Sequence, residues 1–184
     1  MKNTLLPHGA MLGVIGAGVM GQALIRGILR TGLLKPEQIW TATRTMTSAD
    51  AVRRELGVAV VTHYGDLLEK TRIILLCVKP AHVEAALARL AQHGLAADTL
   101  LISIAAGVTT TRLEKLFQTE NPWVRAMPNT PSQVGESMTV LCGGTHAKPS
   151  HLEQAEALFS AVGQCHAVDE HHFDAITALS GSGP

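Results

Sequence analysis

Met11-Leu12-Gly13-Val14-Ile15-Gly16-Ala17-Gly18-Val19-Met20-Gly21 is the stretch that decides the fold. An apolar run of strand length, Met11 to Ile15, leads into Gly16-x-Gly18-x-x-Gly21, and a helical pattern, Gln22 to Arg30, follows at once. Strand, glycine turn and helix in that order make a dinucleotide-phosphate site. The first glycine permits the tight turn, the second lets backbone approach a pyrophosphate, and the third lets helix and strand pack closely. Ala17, Val19 and Met20 complete the loop, and the helix N-terminus offers unpaired N–H groups and a positive dipole end to an anion.

The next strand end refines the ligand. Ile39-Trp40-Thr41-Ala42-Thr43 ends in Arg44, 23 positions past Gly21. A site selective for NAD carries an acidic residue near this place to hydrogen-bond the ribose 2′-hydroxyl. Here Arg44 is flanked instead by Thr43 and Thr45. A guanidinium fork with neutral hydroxyl donors beside it suits a 2′-phosphate, so the expected cofactor is NADP(H).

Composition sets the class. The chain has 184 residues, 46% hydrophobic and 16% charged, with fifteen basic residues balancing fifteen acidic ones. No net field recruits polyanions, so nucleic acid is not an expected partner. No stretch of roughly 18 uncharged apolar residues is present, so no membrane span is expected. Residues 1–10 read as a flexible tail without the apolar core of a signal peptide, which makes the expected location cytoplasmic. Cys77, Cys142 and Cys165 lie in or beside apolar runs, share no metal-ligand spacing and read as reduced packing residues.

Through residues 11–169, apolar runs alternate with helical patterns. Strands are predicted at 11–15, 39–43, 58–61, 73–78, 100–104, 123–126, 138–141 and 165–168. Helices are predicted at 19–30, 48–55, 66–70, 81–93, 110–117 and 150–162. Continuous runs such as Ile73-Ile74-Leu75-Leu76-Cys77-Val78 suit strands buried on both faces. The expected fold is therefore α/β, a doubly wound Rossmann-type sheet, mostly parallel, with right-handed crossovers.

In such sheets ligands sit at the carboxyl ends of strands, which directs attention to the residues just beyond each run. Beyond the fourth come Val78-Lys79-Pro80, with Pro80 suited to open a helix and Lys79 aimed at the crevice. Beyond the fifth come Ala105-Ala106-Gly107, small enough for a ribose or flat ring to lie on the backbone. Beyond the sixth, Met127-Pro128-Asn129-Thr130-Pro131 holds two polar side chains in a loop stiffened by two prolines.

Together these pieces, with Ser103-Ile104-Ala105-Ala106-Gly107, Arg125-x-Met127-Pro128-Asn129-Thr130-Pro131 and Ser180-Gly181-Ser182-Gly183-Pro184, resemble pyrroline-5-carboxylate reductase in order and spacing. The resemblance implies NADPH-dependent reduction of 1-pyrroline-5-carboxylate to L-proline. It implies that Gly16–Gly21 hold the pyrophosphate, Arg44 the 2′-phosphate, and Cys77–Pro80 with Ala105–Gly107 the ribose and nicotinamide. It places Asn129 and Thr130 near the reacting ring and Glu170 near its nitrogen. Where the family often has Asn for the adenosine side, this chain reads Thr62-His63-Tyr64-Gly65, so Tyr64 is a candidate to stack on adenine. Family members continue past Ser-Gly-Ser-Gly-Pro into a helical domain that builds a homo-oligomer and much of the substrate pocket. Residues 170–184 thus read as the first turns of an all-helical dimerisation domain that is missing here. The expectation is a chain that binds NADP(H) and has little or no reductase activity alone.

Hydride addition to a protonated imine needs position and electrostatics more than a strong acid. One hydrogen-bond partner such as Glu170 suffices. His166, His171, His172 and Asp174 do not read as a metal site, because adjacent histidines point in different directions and nothing completes a tetrahedral set. Two other readings stand beside the main one. A β-hydroxyacid dehydrogenase would need a catalytic lysine on a later helix, which this chain does not contain. A non-catalytic NADP-binding module would lack a helical partner domain.

Overall fold

The computed structural model describes residues 11–43 and 45–181. One eight-stranded sheet runs through these residues in the order β3-β2-β1-β4-β5-β6-β7-β8. Its strands are β1 Leu12–Ile15, β2 Ile39–Ala42, β3 Ala59–Val61, β4 Ile73–Leu76, β5 Leu100–Ser103, β6 Trp123–Met127, β7 Ser137–Gly143 and β8 Gly163–Ala167. The helices are α1 Val19–Arg30, α2 Met46–Leu56, α3 Tyr64–Lys70, α4 Val83–Ala91, α5 Thr110–Phe117, α6 Pro149–Phe159 and a short α7 Phe173–Ile176.

All eight predicted strands and six predicted helices are present, with α1 and α5 matching residue for residue. The fourth helix starts later than predicted, because Pro80–His82 forms a 3-10 turn before α4. β1 through β6 are parallel, and β7 runs antiparallel to β6, with Met127 opposite Val140. The β6–β7 connection is the stiff loop around the 3-10 turn Thr130–Gln133, too short for a crossover helix, so the chain must turn back. β8 then lies parallel to β7 across α6.

Alternate residues of each strand feed two cores, which is why the runs read as continuously apolar. Leu12, Val14, Ile73, Leu75, Leu100, Ile102, Val124 and Ala126 pack beneath α1, α2 and α6. Ile15, Ile74, Leu76, Leu101 and Trp123 pack with α3, α4 and α5. A third, smaller cluster joins Met127, Val140 and Cys142 to Phe173 of α7, which is fully buried. The chain past β8 thus returns across the sheet.

The strand order reverses between β1 and β4, since β1 leads outward to β2 and β3 while β4 leads the other way to β5 and β6. That switch point opens a crevice at the carboxyl ends of both strands, and it places Gly16 beside Cys77.

Candidate nucleotide site and its C-terminal flank

The three glycines of the turn face three different surroundings. Gly16 has φ +98°, and a Cβ there would lie 2.8 Å from the Cys77 carbonyl oxygen. Gly21 packs so close to the Gly16 carbonyl that a Cβ would overlap it. Apart from its chain neighbours, a Cβ on Gly18 would meet no atom of the described residues within 4 Å. Two of the glycines are therefore required by the protein's own packing, and the middle one leaves space facing outward.

Gly18 is the N-cap of α1 in extended conformation, and no side chain caps the helix. Among the described residues no backbone carbonyl accepts from the N–H groups of Val19, Met20 or Gly21. Gln22 holds the turn from behind, its Nε2 donating to the Ala17 carbonyl at 2.9 Å. The Gly16 N–H donates to Ala42 at 3.2 Å and the Cys77 N–H to Ile15 at 2.8 Å, which fixes the turn between β2 and β4. Free N–H groups at a helix start with a rigid cradle beneath them bind a phosphate without any cationic side chain.

Arg44, expected at the 2′-phosphate, lies outside the described residues. Its neighbours are placed. The Thr43 hydroxyl donates to the Thr45 carbonyl at 3.2 Å. Thr45 is the N-cap of α2; its hydroxyl accepts from the Ser48 N–H at 3.3 Å and donates to the Ser48 hydroxyl at 2.9 Å. Both hydroxyls, expected as phosphate donors, shape the turn instead. Their work leaves a second helix N-terminus at the end of β2.

Tyr64 corrects a sequence expectation. Its ring is only 6% exposed and belongs to the core, and the Arg89 guanidinium sits 4.1 Å from the ring centroid. Burial and the cation over that face exclude the adenine stacking proposed for it. Cys77 lies under the glycine turn, where burial pushes its thiol well up, so it serves as packing.

Along the second half of the crevice, a cavity of about 330 Å³ is lined by Pro80, Ala81, Ala106, Gly107, Val108 and Arg112, among others. It brings together the residues after β4 and β5 that the sequence singled out. Ala105 is buried, Ala106 and Gly107 are exposed, and Gly107 adopts φ +71°. Val78 is half-buried. Lys79 is exposed, caps the 3-10 turn begun by Pro80, and has no ion-pair partner among the described residues.

Asn129 and Thr130 separate. Thr130 is exposed. Asn129 is buried, its Oδ1 accepting from the Met138 N–H at 3.0 Å and the Ser137 hydroxyl at 3.2 Å, while its Nδ2 donates to the Ser180 carbonyl at 3.3 Å. The Ser132 hydroxyl donates to the Asn129 carbonyl at 2.6 Å. Asn129 thus ties the proline-stiffened loop to β7 and to the segment ending near Ser180.

Glu170, expected beside a substrate nitrogen, is fastened to protein. Its Oε1 accepts from the Thr110 N–H at 2.8 Å and from Arg125 at 3.0 Å, and its Oε2 accepts from the Thr110 hydroxyl at 2.7 Å. Burial alone would raise its pKa, but the Thr110 bonds and the Arg125 guanidinium outweigh it and hold the carboxyl below its ordinary range. The carboxylate also sits at the N-terminus of α5, where the helix dipole favours it. Arg125 is 4% exposed at its side chain, with its guanidinium carbon 4.4 Å from the Phe173 ring centroid. Arg125 stands in the motif Arg125-x-Met127-Pro128-Asn129-Thr130-Pro131 with no role implied by the motif itself. Its signal was available: a charge in the middle of the apolar strand Trp123–Met127 must find a buried partner.

The adjacent histidines also differ from expectation. His171 and His172 follow each other in a 3-10 turn, and their rings come within 3.7 Å, centroid to centroid. The two imidazoles lean together, where the sequence pattern has them pointing apart. Among the described residues, no helix is long and apolar enough to cross a membrane.

The reversed strand order and the open glycine turn at its switch point define a dinucleotide-binding domain of the doubly wound class. The chain belongs to the family of NADP oxidoreductases described as coenzyme F420-dependent, which matches residues 11–107. It is 35% identical to a pyrroline-5-carboxylate reductase of Arabidopsis thaliana over 173 residues, 94% of this chain and 62% of that protein. Among solved structures, a pyrroline-5-carboxylate reductase from Coxiella burnetii superposes with a TM-score of 0.89 at 30% identity, covering 96% of this chain and 65% of that one. A Plasmodium falciparum pyrroline carboxylate reductase, solved with NADP bound, gives 0.84 at 28% identity, covering 95% and 63%. The family resemblance read from the motifs is thereby met. The chain spans a little under two thirds of the length of these relatives.

Proposed function

We propose that this chain binds NADP(H) and forms the cofactor half of an enzyme that reduces 1-pyrroline-5-carboxylate to L-proline. The observation that carries the reading is Gly18, a helix N-cap beside whose missing side chain lies open space among the described residues, with unpaired N–H groups behind it. The pyrophosphate lies on Gly16–Gly21, with Arg44 and the start of α2 at the 2′-phosphate. The ribose and nicotinamide lie along Pro80, Ala106 and Gly107. NADPH supplies the hydride that adds to the imine carbon. Thr130 and Lys79 are both exposed, and the polar side chains of Glu84 and Arg112 line the cavity itself. Glu170 and Asn129 act as positioning residues, holding α5 and the loop after β6 where the substrate ring must fit. The full protein works as a homo-oligomer in the cytoplasm.

The test is fluorescence titration of the chain with NADPH and NADH. Arg44→Ala removes charge-assisted hydrogen bonds worth about 1.5–3 kcal/mol and is expected to weaken NADPH binding about ten- to a hundredfold while leaving NADH unchanged. Equal losses for both cofactors would refute the 2′-phosphate role. Reduction is checked separately, by NADPH oxidation with 1-pyrroline-5-carboxylate and detection of L-proline.

A further inference from the structure

Outside the nucleotide crevice, the turn that follows β8 gathers three metal-binding side chains. Asp169, His171 and His172 are all exposed, and one ligand atom from each lies within 4.8 Å of the others. Their grouping follows from the local backbone. Asp169 is the N-cap of the 3-10 turn Glu170–His172, and the His172 N–H donates back to the Asp169 carbonyl at 3.0 Å, which folds residue 169 over residue 172. Glu170, between them, is turned inward to Thr110 and Arg125, so the turn presents its other three side chains outward. No side-chain hydrogen bond or ion pair engages Asp169, His171 or His172 among the described residues.

The contact between the two imidazoles is informative. Two imidazoles with ring centroids 3.7 Å apart and a carboxylate within reach make a donor set that a divalent ion draws together. Two nitrogens and one oxygen, open on the solvent side, match a borderline ion such as Zn²⁺ with water in the fourth position. Mg²⁺ and Ca²⁺ prefer oxygen sets and gain little from imidazole.

We propose that Asp169, His171 and His172 form a binding site for a zinc-class divalent ion, in which the ion clips the turn that carries Glu170. The site shares no residue with the glycine turn or with the cavity beyond β4 and β5. Because Glu170 anchors this turn to α5 and β6, a bound ion stiffens the anchor from outside.

The experiment uses the full chain, freed of metal and titrated with Co²⁺ by visible absorption and with Zn²⁺ by calorimetry. One ion per chain is expected, with no matching uptake of Mg²⁺. His171→Ala, His172→Ala and Asp169→Asn should each weaken binding by more than the roughly 10- to 100-fold that losing an outer-shell partner costs. His146→Ala, in the exposed turn before α6, should leave the affinity unchanged. All four positions are exposed, so each variant is expected to fold, and an unchanged melting temperature of the metal-free variant checks this. The proposal is overturned by no saturable uptake up to about 1 mM, by equal binding of Mg²⁺, or by wild-type affinity in the His171→Ala/His172→Ala double variant.

Discussion

At Val19–Gly21 the outward polar groups are backbone N–H groups with no partner among the described residues, whereas at Arg125 and Glu170 the polar groups are side chains bonded to one another and to Thr110. The first region is a rigid frame around a space. The second is a closed network, with a buried guanidinium held between a carboxylate and an aromatic ring. An open site of backbone atoms binds an anion at little cost to stability, because a helix start leaves its N–H groups unpaired in any case. A closed side-chain network fixes where α5 and the final segment lie, and it fails badly when one member is lost.

Removing Glu170 should show this most strongly. Glu170→Ala strands Arg125 in the interior, and breaking a buried pair costs about 3–5 kcal/mol; partial exposure of the carboxylate places this one near 3. Urea denaturation measures it, and a loss below about 1 kcal/mol would make the network decorative. The same network sets a pH dependence. Because the folded-state pKa of Glu170 is held below its ordinary 4.5, its contribution is complete above that value and is lost as the pH falls through the lowered one. Glu170→Gln should flatten the acid limb of stability below about pH 4.5. An acid limb unchanged by that substitution would assign acid sensitivity to other carboxylates.

The glycine turn gives the next two effects, and they should differ in kind. Gly21→Ala drives a Cβ into the Gly16 carbonyl, and backbone cannot yield as a flexible side chain does. About 2–3 kcal/mol of stability should be lost, at the upper end of overpacking costs, and nucleotide affinity with it. Gly18→Ala meets open space, so the melting temperature should hardly move and stability should stay within about 0.5 kcal/mol. NADPH affinity should still fall, since the methyl occupies the position where the pyrophosphate approaches. If both substitutions destabilised the fold equally, the distinction between packing glycine and ligand glycine would be lost.

Between these lies Asn129→Ala, which orphans the Met138 N–H and the Ser137 hydroxyl and should cost about 2 kcal/mol, again by denaturation. Thr130→Ala next to it should cost almost nothing in stability, because Thr130 is exposed.

How much could be read in advance follows the same division. Strands and helices were legible because burial on two faces forces continuous apolar runs, and the glycine turn was legible because backbone geometry permits only glycine at Gly16 and Gly21. Gly18, Pro80 and Ala106–Gly107 could be placed at strand ends from the alternation alone. Side-chain roles were less visible. Tyr64 looked available for stacking until Arg89, 25 positions on, was found over its ring. Asn129 and Glu170 looked like groups for a substrate, and both are committed to partners distant in the chain. His171 and His172 looked divergent because periodicity describes Cβ directions and not ring positions.

By itself, then, the sequence determined the doubly wound order of strands and helices and the place of the phosphate turn, since both depend on local periodicity and on steric limits that one residue imposes on its own backbone. The tertiary structure alone decided that β7 reverses direction, that Arg125 and Glu170 meet across 45 residues, and that Gly18 is the one of the turn's three glycines with open space among the described residues. Those outcomes depend on which atoms approach from elsewhere in the chain, and no local pattern carries that information.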